Sequence, residues 1–171
     1  WDIYDDEDVP MPATPLAPER ERSPHTARML AHHALLDESI TPERVRAARH
    51  AYLANVSYVD HQIGALLEAL DETGQADNTV LVITADHGDM LGEHGLWFKK
   101  HFFDDCVRVP LIVVAPEHPR AIHIEANVSL VDLVPTFAEL AGLDLESVQA
   151  EPLSGRSLLS VAAEATADTR A

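Results

Sequence analysis

A run of aliphatic residues leads directly into an acid, an imidazole and a glycine. The segment Thr79 to Thr84 is rich in β-branched side chains, and Ala85, Asp86, His87 and Gly88 follow it. Ligands in open α/β sheets bind beyond the carboxyl ends of the strands, where this pair would lie. Its carboxylate suits calcium or magnesium, and its imidazole also admits manganese or zinc. Asp86 and His87 are therefore candidate metal ligands. In the alternative, Asp86 caps a turn and His87 has no ligand role.

Two adjacent lysines follow this segment, and the first of them, Lys99, comes thirteen residues after Asp86. An ammonium group at that distance could return to the site and bind an anion as a point charge. Aromatic pairs flank the lysines on both sides, so at least one lysine stem should lie against apolar surface. The spacing alone leaves open whether Lys99 or Lys100 binds an anion, or whether both are solvated surface.

Other polar residues between the aspartate and the lysines are weaker candidates. Asp89, Glu93 and His94 could form a cluster with His87, but three glycines make a helix improbable here, so a solvated loop is the preferred interpretation. Cys106 follows two acids, which disfavour its thiolate, and we expect a small buried hydrophobe instead.

The elements that should position these groups begin with a long helix. Thr41 is a suitable N-cap and Pro42 a suitable first residue, and apolar residues then recur every three or four positions as far as Gly74. The pattern predicts a helix over about 42–73, packed along a sheet face. A shorter helix is predicted over 28–38, and 143–171 should be irregular.

A second apolar run, residues 110–115, follows the strand at 79–84. Strand, crossover and strand predict a parallel α/β sheet buried on both faces. Because two strands are few for such a sheet, we expect further strands upstream. The prediction is one partial domain over 1–160 and a disordered tail over 161–171.

Composition narrows the possible partners. The formal net charge of −17 argues against nucleic acid and anionic membranes. No apolar run approaches the roughly 20 residues that cross a bilayer. The chain begins at Trp1 and shows no secretory signal, so we expect a piece of a longer, cytoplasmic protein.

Together these residues resemble a known family, the type I sulfatases of the alkaline-phosphatase superfamily, with bacterial choline sulfatases as the nearest likeness. The segment from Asp86 to Pro110 is the most specific part of the resemblance. The supporting stretches are Trp1-Asp2-Ile3-Tyr4, Ser23-Pro24-His25, the helix segment from Ala51 to Asp60, and Val128 to Thr136.

The resemblance implies an α/β fold, a partial parallel-sheet sandwich of the sulfatase and alkaline-phosphatase type whose upstream strands are missing. It implies a divalent metal, calcium in preference to magnesium or manganese, held by Asp86, His87 and upstream acids. It makes Lys99 the catalytic lysine that holds the sulfate group, in preference to Lys100. The family nucleophile is a formylglycine made from cysteine in a Cys-x-Pro-x-Arg segment, which the surroundings of Cys106 do not match.

The expected function is therefore that of a sulfuric ester hydrolase of the choline-sulfatase type, present as a carboxyl-side fragment that is inactive alone. Its partner would be a small-molecule sulfate ester, and the full-length protein would be a homo-oligomer. A phosphonate monoester or phosphodiester hydrolase of the same superfamily and a non-catalytic truncated module are the alternatives.

Overall fold

The computed structural model describes residues 3–35, 40–116, 123–143 and 153–168. The chain divides into two compact units, Trp1–Pro119 and Arg120–Ala171. No helix among the described residues is both long enough and apolar enough to span a membrane.

The two longer helices of the first unit begin at proline. Helix α1 covers Pro24–His32, and Ser23 caps it by accepting a hydrogen bond from the Thr26 amide. The shorter helix predicted over 28–38 thus starts four residues earlier, because Ser23 and Pro24 form the N-terminal signal. Residues 36–38 of that prediction lie outside the described residues.

Helix α2 covers Pro42–Glu72 and confirms the prediction of a long helix. Thr41 caps its first turn, and Gly74 follows its end with a left-handed φ of 65°. Its 31 residues span about 46 Å at ~1.5 Å per residue. Several residues of its apolar stripe are 38–54% exposed, so the described residues do not provide the predicted sheet face. These residues are Tyr52, Val56, Val59, Leu66 and Leu67.

Two strands form the sheet of the first unit. Strand β1 covers Leu81–Thr84 and strand β2 covers Leu111–Val114, with helix α3, Asp104–Val107, between them. Both strands occur where the apolar runs predicted them. Their pairing is antiparallel, with Thr84 opposite Leu111 and Leu81 opposite Val114.

The antiparallel pairing corrects the prediction of a parallel sheet for these two strands. A parallel pair needs a crossover that carries the chain back along the whole strand, usually as a long helix. The connection here contains the four-residue helix α3 and returns to the edge of the sheet that it left. The strands are also half-buried or exposed, whereas the sequence predicts full burial.

The core of the first unit is formed by α1 and the loop that connects the strands. It consists of buried Leu30, Met90, Leu96 and Cys106, with Leu16 and Leu35 packed against it. One of these residues belongs to α1 and the other three buried ones to the segment between β1 and β2. The loop is therefore folded onto α1.

The second unit is helical in its described part. Helix α4 covers Leu133–Leu140 and helix α5 covers Leu158–Asp168. The Asp132 carboxylate accepts hydrogen bonds from the Ser129 and Arg156 amides. The N–H groups of Arg156 and Ser129 lower the pKa of this carboxyl group. Helix α5 occupies much of 161–171, for which the sequence predicts disorder, and its Val161 is 2% exposed.

Candidate functional site

The loop between β1 and β2 begins and ends at one edge of the sheet. Thr84, the last residue of β1, pairs with Leu111, the first residue of β2. The Gly88 amide donates a hydrogen bond of 2.8 Å to the Cys106 carbonyl, which joins the outgoing and returning chains. A Cβ atom at Gly88 would lie 1.9 Å from the Asp105 carbonyl oxygen, so the close approach requires glycine. The segment that carries Asp86 and His87 is thereby fixed against α3.

His87 lies between the two other predicted site residues. Its Nε2 is 2.7 Å from the Lys99 Nζ and 3.2 Å from the Asp86 Oδ2, and its Nδ1 is 2.7 Å from the Gly88 carbonyl oxygen. Because a carbonyl can only accept, Nδ1 carries the proton and Nε2 presents its lone pair. Lys99 then donates to Nε2. The structure therefore brings the predicted carboxylate, imidazole and ammonium group together.

The Asp86 and His87 pair has the donor set and the spacing of two metal ligands. With Nε2 unprotonated, its 3.2 Å contact with Asp86 Oδ2 joins two acceptors, so it is not an ion pair. Ligands at right angles on one ion, each about 2.1–2.4 Å from it, lie about 3.0–3.4 Å apart. The two residues thus fit a divalent cation, which would take the Nε2 lone pair in place of the Lys99 hydrogen bond. Within the described part of the chain no group of three or more His, Cys, Asp or Glu residues could hold one.

The site is open to solvent. The side chain of Asp86 is 82% exposed and that of His87 is 33% exposed. Lys99 is exposed as well, although its Nζ is directed to His87. A small anion could approach this edge without displacing a buried side chain. The metal-binding role of Asp86 and His87 and the catalytic role of Lys99 stay predictions from the sequence.

The alternative cluster around His87 does not form. The Glu93 carboxylate accepts hydrogen bonds of 3.0 and 2.8 Å from the Ala13 and Thr14 amides and lies 3.5 Å from Arg49. His94 stacks on Phe103. These contacts hold the loop to the amino-terminal segment and to α2. The sequence prediction of a solvated loop is wrong, because long-range contacts that periodicity does not show bury much of it.

Lys100 makes different contacts from Lys99. Its carbonyl oxygen accepts a hydrogen bond of 2.7 Å from the His25 Nε2, and its side chain is exposed. Cys106 is 3% exposed and its Sγ lies 3.5 Å from the Phe98 carbonyl oxygen. Burial raises the pKa of this thiol, as do the nearby carboxylates of Asp89 and Asp105. Cys106 is therefore the small buried residue that the sequence predicts.

An open cleft beside the lysines was not predicted from the sequence. It measures about 380 Å³ and is lined by Ser23, His25, Thr26, His101, Phe102 and Phe103. His101 is 5% exposed, and burial lowers its pKa, as do His25, His33 and His94. The histidine and two phenylalanines that directly follow the lysines, His101-Phe102-Phe103, were the available signal.

The family model for Sulfatase matches residues 12–143 of this chain. Choline-sulfatase of Rhizobium meliloti (strain 1021) is 40% identical over 149 residues, which are 87% of this chain and 29% of that protein. N-acetylglucosamine-6-O-sulfatase of Bacteroides thetaiotaomicron is 45% identical over 98 residues, 56% of this chain and 17% of that protein. The chain belongs to the sulfatase family.

The fold is similar to that of a solved structure. A phosphonate monoester hydrolase from Silicibacter pomeroyi superposes with a TM-score of 0.78 at 32% identity, over 91% of this chain and 32% of that one. The predicted α/β fold of the sulfatase and alkaline-phosphatase type is thus correct, although the strand pair of this chain is antiparallel. The chain spans about a third or less of the length of these relatives.

Proposed function

We propose that this chain supplies the metal-and-lysine part of a sulfuric ester hydrolase that acts on a small sulfate ester, with choline sulfate as the first substrate to test. The contact of Lys99 Nζ with His87 Nε2 at 2.7 Å, beside Asp86 Oδ2, carries the proposal. It unites two metal-type donors and a cation at one exposed edge. The 40% identity to a choline-sulfatase favours that substrate.

Each group would have a separate task. Asp86 and His87 would hold a divalent cation, calcium in preference to magnesium or manganese, which when bound would polarise the sulfuryl oxygens. With His87 Nε2 on the cation, Lys99 would be released from that nitrogen, would bind a sulfate oxygen and would offset the negative charge that develops as the ester S–O bond breaks. By analogy with single oxyanion donors, such a group supplies about 2–4 kcal/mol to the transition state.

The nucleophile of this reaction would come from residues other than these 171. A formylglycine requires a cysteine in a Cys-x-Pro-x-Arg segment, whereas the one cysteine in this sequence, Cys106, is followed by Val107-Arg108 and is buried. We therefore propose that these 171 residues alone do not turn over a sulfate ester. Activity assays need a longer form of the protein that contains such a segment.

The metal assignment is tested by calcium binding to Asp86→Asn, with Asp104→Asn as the matched control. Asp104 is an exposed acid of the same loop, 3.8 Å from Arg108. Removing the charge from Asp86 should lower calcium affinity at least about tenfold and reduce turnover in parallel, because a hard cation prefers a carboxylate. Unchanged binding in Asp86→Asn, measured by titration calorimetry, would remove Asp86 from the metal site.

The lysine assignment is tested by comparing Lys99→Ala with Lys100→Ala in the longer form. Loss of Lys99 should reduce kcat for choline sulfate by about 10²–10³-fold, whereas loss of Lys100 should change it less than about threefold. Steady-state kinetics provide the measurement. Equal effects of the two substitutions would mean that Lys99 is not the cation that holds the sulfate.

A phosphonate monoester hydrolase is the second candidate, favoured by the structural similarity at a TM-score of 0.78. The same donors could hold a phosphonate ester, which also carries anionic oxygens. The ratio of kcat/KM for choline sulfate to that for a phenyl phosphonate monoester distinguishes the two candidates. Turnover of neither substrate by the longer form would favour a non-catalytic module.

A further inference from the structure

The residue before Lys99 has an unusual backbone conformation. Phe98 has a φ of 68°, in the left-handed region that a side chain with a Cβ disfavours. Its ring is about half exposed and lies 4.8 Å, centroid to centroid, from His33. Because the backbone angles of Phe98 set the direction in which the chain continues, this conformation determines the position of the Lys99 backbone. Something must hold it against the steric preference of phenylalanine.

Both peptide groups of Phe98 are held by the opposite side of the loop. Its amide donates a hydrogen bond of 3.0 Å to the Asp89 Oδ1. Its carbonyl oxygen accepts one of 3.2 Å from the Met90 amide and lies 3.5 Å from the Cys106 Sγ. Met90 and Cys106 are both core residues. The Phe98 backbone is therefore connected to the core at its carbonyl and to the Asp89 carboxylate at its amide.

Asp89 also stands close to the other half of the site. It follows His87 by two residues, and its Oδ1 lies 3.5 Å from the Leu91 amide as well. One carboxylate oxygen thus accepts from two N–H groups of the loop, that of Leu91 on the outgoing side and that of Phe98 on the returning side. The segment that carries His87 and the segment that carries Lys99 are tied together by this oxygen.

We propose that Asp89 is a positioning residue for Lys99: its carboxylate fixes the left-handed Phe98 and so directs the Lys99 ammonium group onto His87. The proposal rests on the proposed function for its catalytic consequence, whereas its structural part stands without it. A misplacement of about 1 Å can cost about 10²-fold in rate, so a residue that touches no substrate can matter to turnover.

The structural part is tested by NMR on the 171-residue chain in three variants. Asp89→Ala should speed exchange of the Phe98 amide at least about tenfold and move the His87 Nε2 resonance, because the lysine contact is lost. Asp89→Asn keeps an oxygen acceptor and should stay close to wild type. Asp105→Ala is the matched control, an acid that is also near Cys106. It should leave both signals unchanged.

The catalytic part is tested with choline sulfate in the longer form of the protein. Asp89→Ala should lower kcat about 10–100-fold with KM changed less than about threefold, and Asp89→Asn should recover most of the loss. Glycine reaches a positive φ without steric cost. Phe98→Gly in the Asp89→Ala background should therefore recover at least about threefold in kcat, whereas Phe102→Gly should recover nothing.

The outcomes separate this inference from the proposed function. If the wild type does not turn over sulfate esters but Asp89→Ala alters both NMR signals, the proposed function fails and the positioning role stands. If the Phe98 amide and His87 resonances are unchanged in Asp89→Ala, the positioning role is wrong whatever the activity. A loss in kcat as large in Asp105→Ala as in Asp89→Ala, or no recovery in Asp89→Asn, would also overturn it.

Discussion

The strand pair and the loop that joins its strands differ in what surrounds them. In β2, Ile112, Val113 and Val114 are 53%, 37% and 53% exposed, although the segment is entirely apolar. In the loop, which is rich in glycine and charge, Met90 and Leu96 are 0% exposed. Burial in this unit follows from what packs on a segment rather than from how apolar the segment is. The glycine-rich loop holds the core of this unit.

The loop is held in place by more contacts than the strand pair that it connects. A pair of strands is at best marginally stable on its own. The loop, by contrast, is fixed by its core against α1, by the Glu93 carboxylate on the Ala13 and Thr14 amides, and by Gly88 on Cys106. Asp86, His87 and Lys99 all belong to this loop. Their geometry should therefore depend on the loop more than on the sheet.

The largest expected effect comes from truncating a core residue of the loop. Leu96→Ala should lower the free energy of unfolding by about 2–5 kcal/mol, because it leaves a cavity at a fully buried position. Ile112→Ala should cost less than about 1 kcal/mol, since half of that side chain is already in water. Urea denaturation followed by circular dichroism compares the two. A larger loss for Ile112→Ala would place the core in the strands.

A smaller effect is expected where the loop closes on itself. Gly88→Ala should destabilise the chain by about 1–3 kcal/mol, because the new methyl group would overlap the Asp105 carbonyl oxygen. Gly64→Ala is the matched control: it lies within α2 with nothing within 4 Å of an added Cβ, and should stabilise by about 0.5–1 kcal/mol. Thermal unfolding measures both.

If Gly88→Ala does not lower the stability of the chain, the two ends of the loop do not approach each other as closely as the structure shows. The Gly88 to Cys106 hydrogen bond would then not be needed to hold His87 in place. The same variant should lose the contact between Lys99 and His87, which the His87 Nε2 resonance reports. A destabilised chain that keeps this signal would mean that the site does not depend on the closure.

Local signals in the sequence were sufficient for several elements. The Thr41-Pro42 cap and the apolar spacing predict α2 to within a residue of its observed end, and the two apolar runs predict both strands. The convergence of Asp86, His87 and Lys99 also follows from a local argument, because all three belong to one loop at one sheet edge. The direction of strand pairing did not follow, since it depends on how that loop returns.

The contacts of Glu93 and Asp89 did not follow from the sequence, because they join residues that are far apart in the chain or on opposite sides of the loop. Glu93 bonds to amides 79 and 80 positions away, and Asp89 bonds to an amide nine positions away across the loop. Neither contact leaves a periodic trace in the sequence. Helix α5 was missed although Ser157 is a suitable N-cap, whose Oγ accepts a hydrogen bond of 3.2 Å from the Leu159 amide. Its burial depends on contacts such as that of the Leu158 amide with Thr136 Oγ1.

The smallest expected effect is a dependence of loop stability on pH. Burial, together with His25, His33 and His94, lowers the pKa of His101 below its usual 6.5. The unfolded chain therefore binds a proton at a higher pH than the folded chain, so stability falls as the pH drops below about 6.5 toward the folded-state pKa. His101→Phe should reduce the fall in the urea midpoint between about pH 7.5 and 5.5. The exposed His61→Phe should not.

Glu93 would contribute to the pH dependence of stability over a lower pH range than His101, so the two groups can be distinguished. Burial raises the pKa of Glu93, but the Thr14 and Ala13 amides, Arg49 and His94 outweigh it and leave the pKa below its usual 4.5. Its stabilisation is therefore present above that pH and is lost only as the pH falls through the lower folded value. If His101→Phe keeps the full loss near pH 6, the buried imidazole is not its source. Glu93 cannot account for a loss of stability near pH 6, because its pKa lies below 4.5. His33, whose pKa burial also lowers, then becomes the group to substitute next.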